Sequence, residues 1–250
     1  MLMSLINDYI RQAAWRSWSL VFDTLPPLSG KSILDLGCAV GDQAAEFVAR
    51  GARVIGVDAN EELLLEARSR CLVNAEFRKA DLRALTDFDA PVDGLWCSFT
   101  AAYFPDLAGT IGSWERQLRL GGWIALTEID DLFGHSPLSA KAKALLDDYT
   151  RDSFTAGRYD FHMGRKLASH LMQSKFTIEK MLTLEDLELS FGGPAPQDVV
   201  DAWRSRFNRM TLLRDFCGSD FEQVREDFVD CLTRADHQSH AKVYFCLGKK

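Results

Sequence analysis

Nowhere does the 250-residue sequence hold an apolar run near the roughly twenty residues a membrane-spanning helix needs, so no membrane partner is expected. An export leader, with its cationic start and apolar core, is missing too, because Asp8, Arg11 and Arg16 interrupt the N-terminal segment; a cytoplasmic protein is expected. The six cysteines, at 38, 71, 97, 217, 231 and 246, show neither C-x-x-C pairing nor metal-ligand spacing. They read as reduced packing residues, and no metal site is expected. A basic excess is also lacking. The 29 Lys and Arg against 36 Asp and Glu leave a net charge of −7, which argues against a nucleic-acid partner, since phosphates demand clustered cations. Arg204, Arg206, Arg209 and Arg214 come closest to a cluster, but helical spacing spreads them over several faces and they read as solvated surface. Internal repeats and low-complexity stretches are absent.

What is present begins with Ser32-Ile33-Leu34-Asp35-Leu36-Gly37-Cys38-Ala39-Val40-Gly41-Asp42. Ile33, Leu34 and Leu36 form an unalternating apolar run, the pattern of a strand buried on both faces of a parallel sheet. Gly37 and Gly41 permit a tight turn and close approach of a ligand to the backbone, and Asp42 to Arg50 reads as a helix. A second strand, Arg53 to Asp58, ends in an acid, and Asn60 can cap the helix that runs to about Cys71. A carboxylate at that strand end, some twenty residues beyond the glycine loop, is placed to accept the hydroxyl protons of an adenosine ribose. The loop spacing is G-x-x-x-G, not the G-x-G-x-x-G of a dinucleotide site, which disfavours a nicotinamide-linked oxidoreductase.

The loop resembles the first motif of the class I S-adenosylmethionine-dependent methyltransferases, matched by Asp35, Gly37 and Gly41, with Ala39 where that family has its middle glycine. Further matches follow in order. Phe77 to Leu82 resembles the third-strand motif, which implies that Asp81 meets the adenine amino group and the Leu82 amide a ring nitrogen. Val92 to Phe99 resembles the fourth strand, placing Ser98 and Phe99 beside the methionine moiety. The resemblance covers about residues 30 to 130. It implies S-adenosylmethionine as cofactor, S-adenosylhomocysteine as product, and a donor site made of Asp35, Gly37, Cys38, Ala39, Gly41, Asp58, Ala59, Asp81, Leu82, Ser98 and Phe99. The implied fold is α/β: a Rossmann-like, mostly parallel seven-stranded sheet with helices on both faces and its last strand antiparallel.

The remaining chain supplies the expected elements. A helix carrying Leu107, Ile111, Trp114 and Leu118 is expected to end at Gly121-Gly122 before a fifth strand over Trp123 to Thr127. Gly164 to Ser174, Phe176 to Leu182 and Lys242 to Leu247 complete the order. Residues 1–250 thus read as one domain, opened by an N-terminal helical segment over 1–29 in which Tyr9 and Trp15 are candidates for the pocket wall. Two long helical insertions, 130–163 and 185–241, exceed ordinary connections and read as a substrate cap. Ser219 and Glu222 suggest a capping box at the start of the last insertion helix.

The chemistry implied is in-line displacement at a sulfonium methyl, where holding the acceptor in place supplies much of the acceleration. Candidates for a base or orienting group are His162, Glu128 and Tyr159, with His162 preferred because histidine titrates near neutrality. A small-molecule acceptor is expected, methylated on oxygen in preference to nitrogen or carbon, and the oligomeric state, homo-oligomer included, is left open. The alternative from another class is a non-catalytic S-adenosylmethionine-binding partner or regulator.

Overall fold

The structure, a computed structural model, describes residues 2–85 and 90–250, with side chains from residue 6 onward at the N-terminus. The main-sheet strands are β1 (Ser32–Leu36), β2 (Arg53–Asp58), β3 (Ala75–Lys79), β4 (Val92–Ser98) and β5 (Leu118–Asp130). The short β6 (His135–Ser136) precedes β7 (Thr177–Leu184), and the short β8 (Gln238–Ser239) precedes β9 (Lys242–Lys249). Seven of these pair in the order β3-β2-β1-β4-β5-β9-β7. The first five are parallel, and β9 runs antiparallel between β5 and β7. The expected Rossmann-like sheet with an antiparallel last strand is therefore the observed one.

Ten helices accompany the sheet among the described residues. Before β1 come α1 (Leu2–Ala14) and α2 (Trp18–Phe22); α3 (Asp42–Ala49), α4 (Glu61–Ser69) and α5 (Leu107–Trp114) connect the parallel strands. The first insertion holds α6 (Ala140–Thr155), α7 (Leu167–Gln173) leads into β7, and the second insertion holds α8 (Gln197–Arg209), α9 (Thr211–Cys217) and α10 (Phe221–Thr233). No helix among the described residues is long and apolar enough to cross a membrane.

Successive strand residues point to opposite faces, so the unalternating apolar runs feed two separate cores. Ile33 and Trp96 join Phe22, Phe47 and Phe245 on one face. Leu34, Leu36 and Leu95 join Ile111, Trp114 and Leu171 on the other. Trp96 lies stacked on Phe22, with ring centroids 5.2 Å apart. The first core continues without a break into the insertions through Phe133, Trp203, Phe207 and Phe228. The two insertions are also tied by the β6–β8 pair, so they form one body that closes over a single end of the sheet.

The N-terminal helical segment divides, and two local expectations are corrected. The N-terminal segment is two helices, because the chain breaks at Arg16 to bridge Asp186 of the second insertion, where Arg16 Nε donates to the Asp186 carboxylate at 2.7 Å. Gly121-Gly122 does not end a helix: α5 stops at Trp114, and both glycines lie inside β5, where Gly121 at φ +75° accommodates the register shift against β4. The Ser219/Glu222 capping box does not form, since a short 3-10 turn over Gly218–Asp220 leads into α10 and Glu222 pairs with Arg225 instead. By contrast Asn60 does cap α4, accepting from the Glu62 and Leu63 amides.

At the junction of the insertions, His237 Nδ1–H donates to Gly193 O at 3.1 Å, which leaves its Nε2 to accept from His135 Nδ1–H at 3.0 Å. Burial, followed by the neighbouring His237, pushes His135 down to about 3. A histidine buried neutral contributes stability above the unfolded value near 6.5 and loses it as pH falls, by about 2 kcal/mol at pH 5. In an NMR titration the His135 ring resonances are expected to stay fixed from pH 8 to pH 5; a midpoint near 6.5 would show that this junction opens.

Candidate functional site

The carboxyl ends of β1, β2 and β4 meet the turn after β1. Gly37, at φ +82°, lets the chain reverse under Thr100, and a Cβ added there would lie 2.2 Å from Thr100 Oγ1. Ala39 takes a left-handed conformation, φ +46°, that a non-glycine residue adopts only when its surroundings impose it. Asp58 is what imposes it: Oδ2 accepts the Ala39 amide at 3.0 Å, and Oδ1 accepts the Asn60 amide at 2.8 Å. Each carboxylate oxygen keeps a second lone pair for a ligand hydroxyl.

Next along the sheet edge, Asp81 Oδ1 accepts the Arg83 amide at 2.9 Å and Leu82 starts a 3-10 turn with its side chain buried. Ser98 ends β4 with its Oγ buried and without a partner, and Phe99 follows in a left-handed conformation, φ +53°. Behind the loop, Asp35 is 1% exposed and its Oδ2 has no partner; burial first, and then the Asp58 charge, push it up to about 8.

Apart from Asp35, these border one cavity of about 910 Å³. Of the expected donor-site residues, Gly37, Cys38, Ala39, Asp58, Ala59, Asp81, Leu82, Ser98 and Phe99 line it, whereas Asp35 and Gly41 support the loop from behind. The opposite wall comes from the N-terminal segment and the cap: Tyr9 and Arg16 from the first, Tyr159, Arg206 and Met210 from the second. Trp15, the other expected wall residue, packs on the core instead. At about 910 Å³ the cavity approaches the upper end of the roughly 300–1,000 Å³ of small-molecule sites.

The three expected catalytic side chains separate. Tyr159 lines the cavity, packed edge-on against Tyr103 at 4.9 Å, and burial, with Glu128 second, pushes its phenol well above the ordinary value. It is therefore a hydrogen-bond donor at neutral pH and not a base. Glu128 is fully buried, with Oε2 accepting the Ala102 amide at 3.0 Å and Oε1 the Ile129 amide at 2.9 Å; burial pushes it up to about 7. Its role is to hold the Ala101–Tyr103 turn that carries Tyr103 into the wall. His162 faces a different cavity of about 370 Å³ beside Phe154 and Lys166, away from the strand ends, so the preferred base is not carried forward. Conversely, Arg206 and Arg209 are not solvated surface: both line the large cavity, and Arg206 donates twice to the buried Glu188. Their three-residue spacing on one helix face was the available signal, but their acidic partners lie far away in sequence.

Residues 33–122 match the sequence family described as "Methyltransferase domain". That matched stretch, about a third of the chain, is similar to methyltransferase domains, in line with the resemblance to the class I S-adenosylmethionine-dependent methyltransferases. It is 39% identical to a trans-aconitate 2-methyltransferase of Azoarcus sp. (strain BH72) over 97 residues, 38% of each chain. To a ubiquinone biosynthesis O-methyltransferase of Thiobacillus denitrificans it is 30% identical over 112 residues, 43% of this chain and 48% of that one. The chain thus spans less than half the length of these relatives. A solved S-adenosylmethionine dependent methyltransferase from Mesorhizobium loti superposes over 93% of this chain and 97% of its own, with a TM-score of 0.56 at 19% identity, a likeness of fold.

The residues present fit the family's donor. Spare lone pairs on Asp58 and the narrow Gly37 turn offer complementary groups along one wall. Asp35 gives a pH signature of the ligand-free protein. Its folded value lies above the unfolded value near 4, so its contribution is complete below that value and is lost as pH rises through about 8. Thermal melts of Asp35→Asn are expected to gain on wild type progressively from pH 5 to pH 8; parallel melting curves would show that Asp35 is ionised throughout.

Proposed function

We infer that the chain transfers the methyl group of S-adenosylmethionine to a small or medium-sized metabolite held under the cap formed by 130–163 and 185–241, releasing S-adenosylhomocysteine. One observation carries this reading: the strand-end residues suited to the donor and the cap side chains Tyr159 and Arg206 face the same cavity. Oxygen is the favoured accepting atom, supported by the printed activity of the ubiquinone-biosynthesis relative and by the Tyr159 phenol at the cap end.

When bound, the donor supplies a methyl group already activated by its sulfonium. Asp58 accepts the ribose hydroxyl protons, while Asp81 and the Leu82 amide read the adenine edge. Ser98 and Phe99 border the methionine moiety, and Phe99 is itself clamped by the Arg16 guanidinium, 4.1 Å above its ring. The acceptor would react as its oxyanion, its proton already lost to solvent: with Tyr159 donating to that oxygen, the O–CH3 bond would form as the sulfonium S–CH3 bond breaks, leaving neutral S-adenosylhomocysteine. Glu128 acts through the turn it holds. Catalysis then rests chiefly on alignment, which in well-oriented intramolecular systems lowers barriers by about 7–11 kcal/mol.

Calorimetry is expected to detect S-adenosylmethionine binding and no NAD binding. Asp58→Ala removes two charge-assisted contacts, for an expected loss of about 3 kcal/mol, or roughly a hundredfold in affinity. Incubation with metabolite pools is expected to release S-adenosylhomocysteine. Donor binding without release in any pool would point to the non-catalytic alternative, and unchanged affinity of Asp58→Ala would remove the site.

A further inference from the structure

The cavity is polarised. Its strand end mixes signs, with Asp58 and Asp81 beside Lys79 and Arg83, whereas its cap end carries the guanidiniums of Arg16, Arg206 and Arg209 with Asp8 as the one carboxylate among them. Two of those arginines are held from behind by carboxylates that do not themselves line the cavity. Arg206 Nε and Nη2 donate to Glu188 Oε1 at 3.2 and 2.5 Å, and Arg16 Nε donates to Asp186 Oδ2 at 2.7 Å, with Glu188 0% and Asp186 1% exposed. Burial alone would raise Glu188, yet Arg206 and Arg16 hold it below the ordinary carboxylate value, so the pair is ionised at neutral pH.

The backing leaves donors unspent. Nη1 of Arg206 and Nη1 of Arg16 make no hydrogen bond among the described residues. Arg209 is anchored by Asp8, which also binds Arg11. This cluster therefore sets four guanidiniums (11, 16, 206, 209) against three carboxylates (8, 186, 188), an excess of one positive charge. Phe99, Ile129 and Met210 supply apolar wall beside it, interspersed with Tyr9, Gln12 and Tyr159. A neutral acceptor filling this end would strip water from guanidinium N–H groups without replacing it, whereas a planar oxyanion would satisfy them.

The geometry points to an acceptor that bears a carboxylate on an apolar body, with the carboxylate seated against Arg206 and Arg16 at the cap end. This specificity rests on the methyltransferase reading above. A second source of the same chemistry is the carboxylate of the donor itself, which the test separates. Glu188 and Asp186 are positioning residues in this scheme, fixing the guanidinium planes.

The full-length protein loaded with S-adenosylhomocysteine is screened by saturation-transfer NMR against small carboxylic acids, each paired with its neutral methyl ester. Acids are expected to bind and their esters to bind at least about tenfold more weakly. Equal binding within pairs, preference for esters, or no acid binding would overturn the proposal. The double variant Arg206→Gln with Glu188→Gln, which leaves no buried charge unpaired, is expected to lose at least about tenfold in acid affinity while S-adenosylhomocysteine affinity stays at the wild-type value. A loss confined to S-adenosylhomocysteine would assign the carboxylate to the donor and overturn the proposal. Should the double variant fail to melt cooperatively, Arg206→Lys takes its place, with the same acid-specific loss expected because a point charge cannot reproduce the guanidinium fork. Failure of wild-type protein to bind S-adenosylhomocysteine at all would instead strike the methyltransferase reading.

Discussion

One hydrogen bond, from the Ala39 amide to the Asp58 carboxylate, fixes the end of the sheet that borders the large cavity. It joins the turn after β1 to the tip of β2 and compels Ala39 into a left-handed conformation that its Cβ disfavours. With the turn held there, Gly37 passes beneath Thr100, and the edges of Asp81, Ser98 and Phe99 fall along one wall. A carboxylate oriented by two backbone amides is also organised before any ligand arrives, which spares the ordering entropy that a loose side chain would lose on binding.

The other wall depends on a different kind of contact. Arg16 interrupts the N-terminal helices, bridges the backbone of Asp186, lies over Phe99 and approaches Glu188 to 3.9 Å. One side chain thus links the N-terminal segment, β4 and the second insertion. Buried ion pairs of this sort add little to stability against an apolar replacement, but they fix geometry, since removing either partner strands a charge. The insertions are at once an extension of the core, through Phe133, Trp203, Phe207 and Phe228, and the roof of the cavity. Core and cap are thus the same body.

Much of the fold was legible in the sequence because parallel strands buried on both faces leave long apolar runs. Helix starts such as Asn60 are written in local side-chain chemistry. The strand side of the cavity was legible for the same reason: Asp58 and Ser98 end β2 and β4 and Asp81 closely follows β3, so their place follows from local pattern and order. Where local pattern misled, a longer-range contact prevailed. Gly121-Gly122 resembles a helix stop, yet pairing with β4 draws it into β5 as a bulge. Ser219 and Glu222 have the spacing of a cap, yet Glu222 turns to Arg225.

Sheet order and the acid-tipped strand ends can be read along the chain, because each is encoded over spans of a few residues to a few tens. Only the tertiary structure decided which side chains face them. His162 and Tyr159 stand three positions apart but open into different cavities, and Arg206 acquires its meaning from Glu188, eighteen residues away, and from Arg16 at the other end of the chain. The physical reason is that a charge's role depends on what lies within a few ångströms of it after folding, and sequence separation carries no such distance.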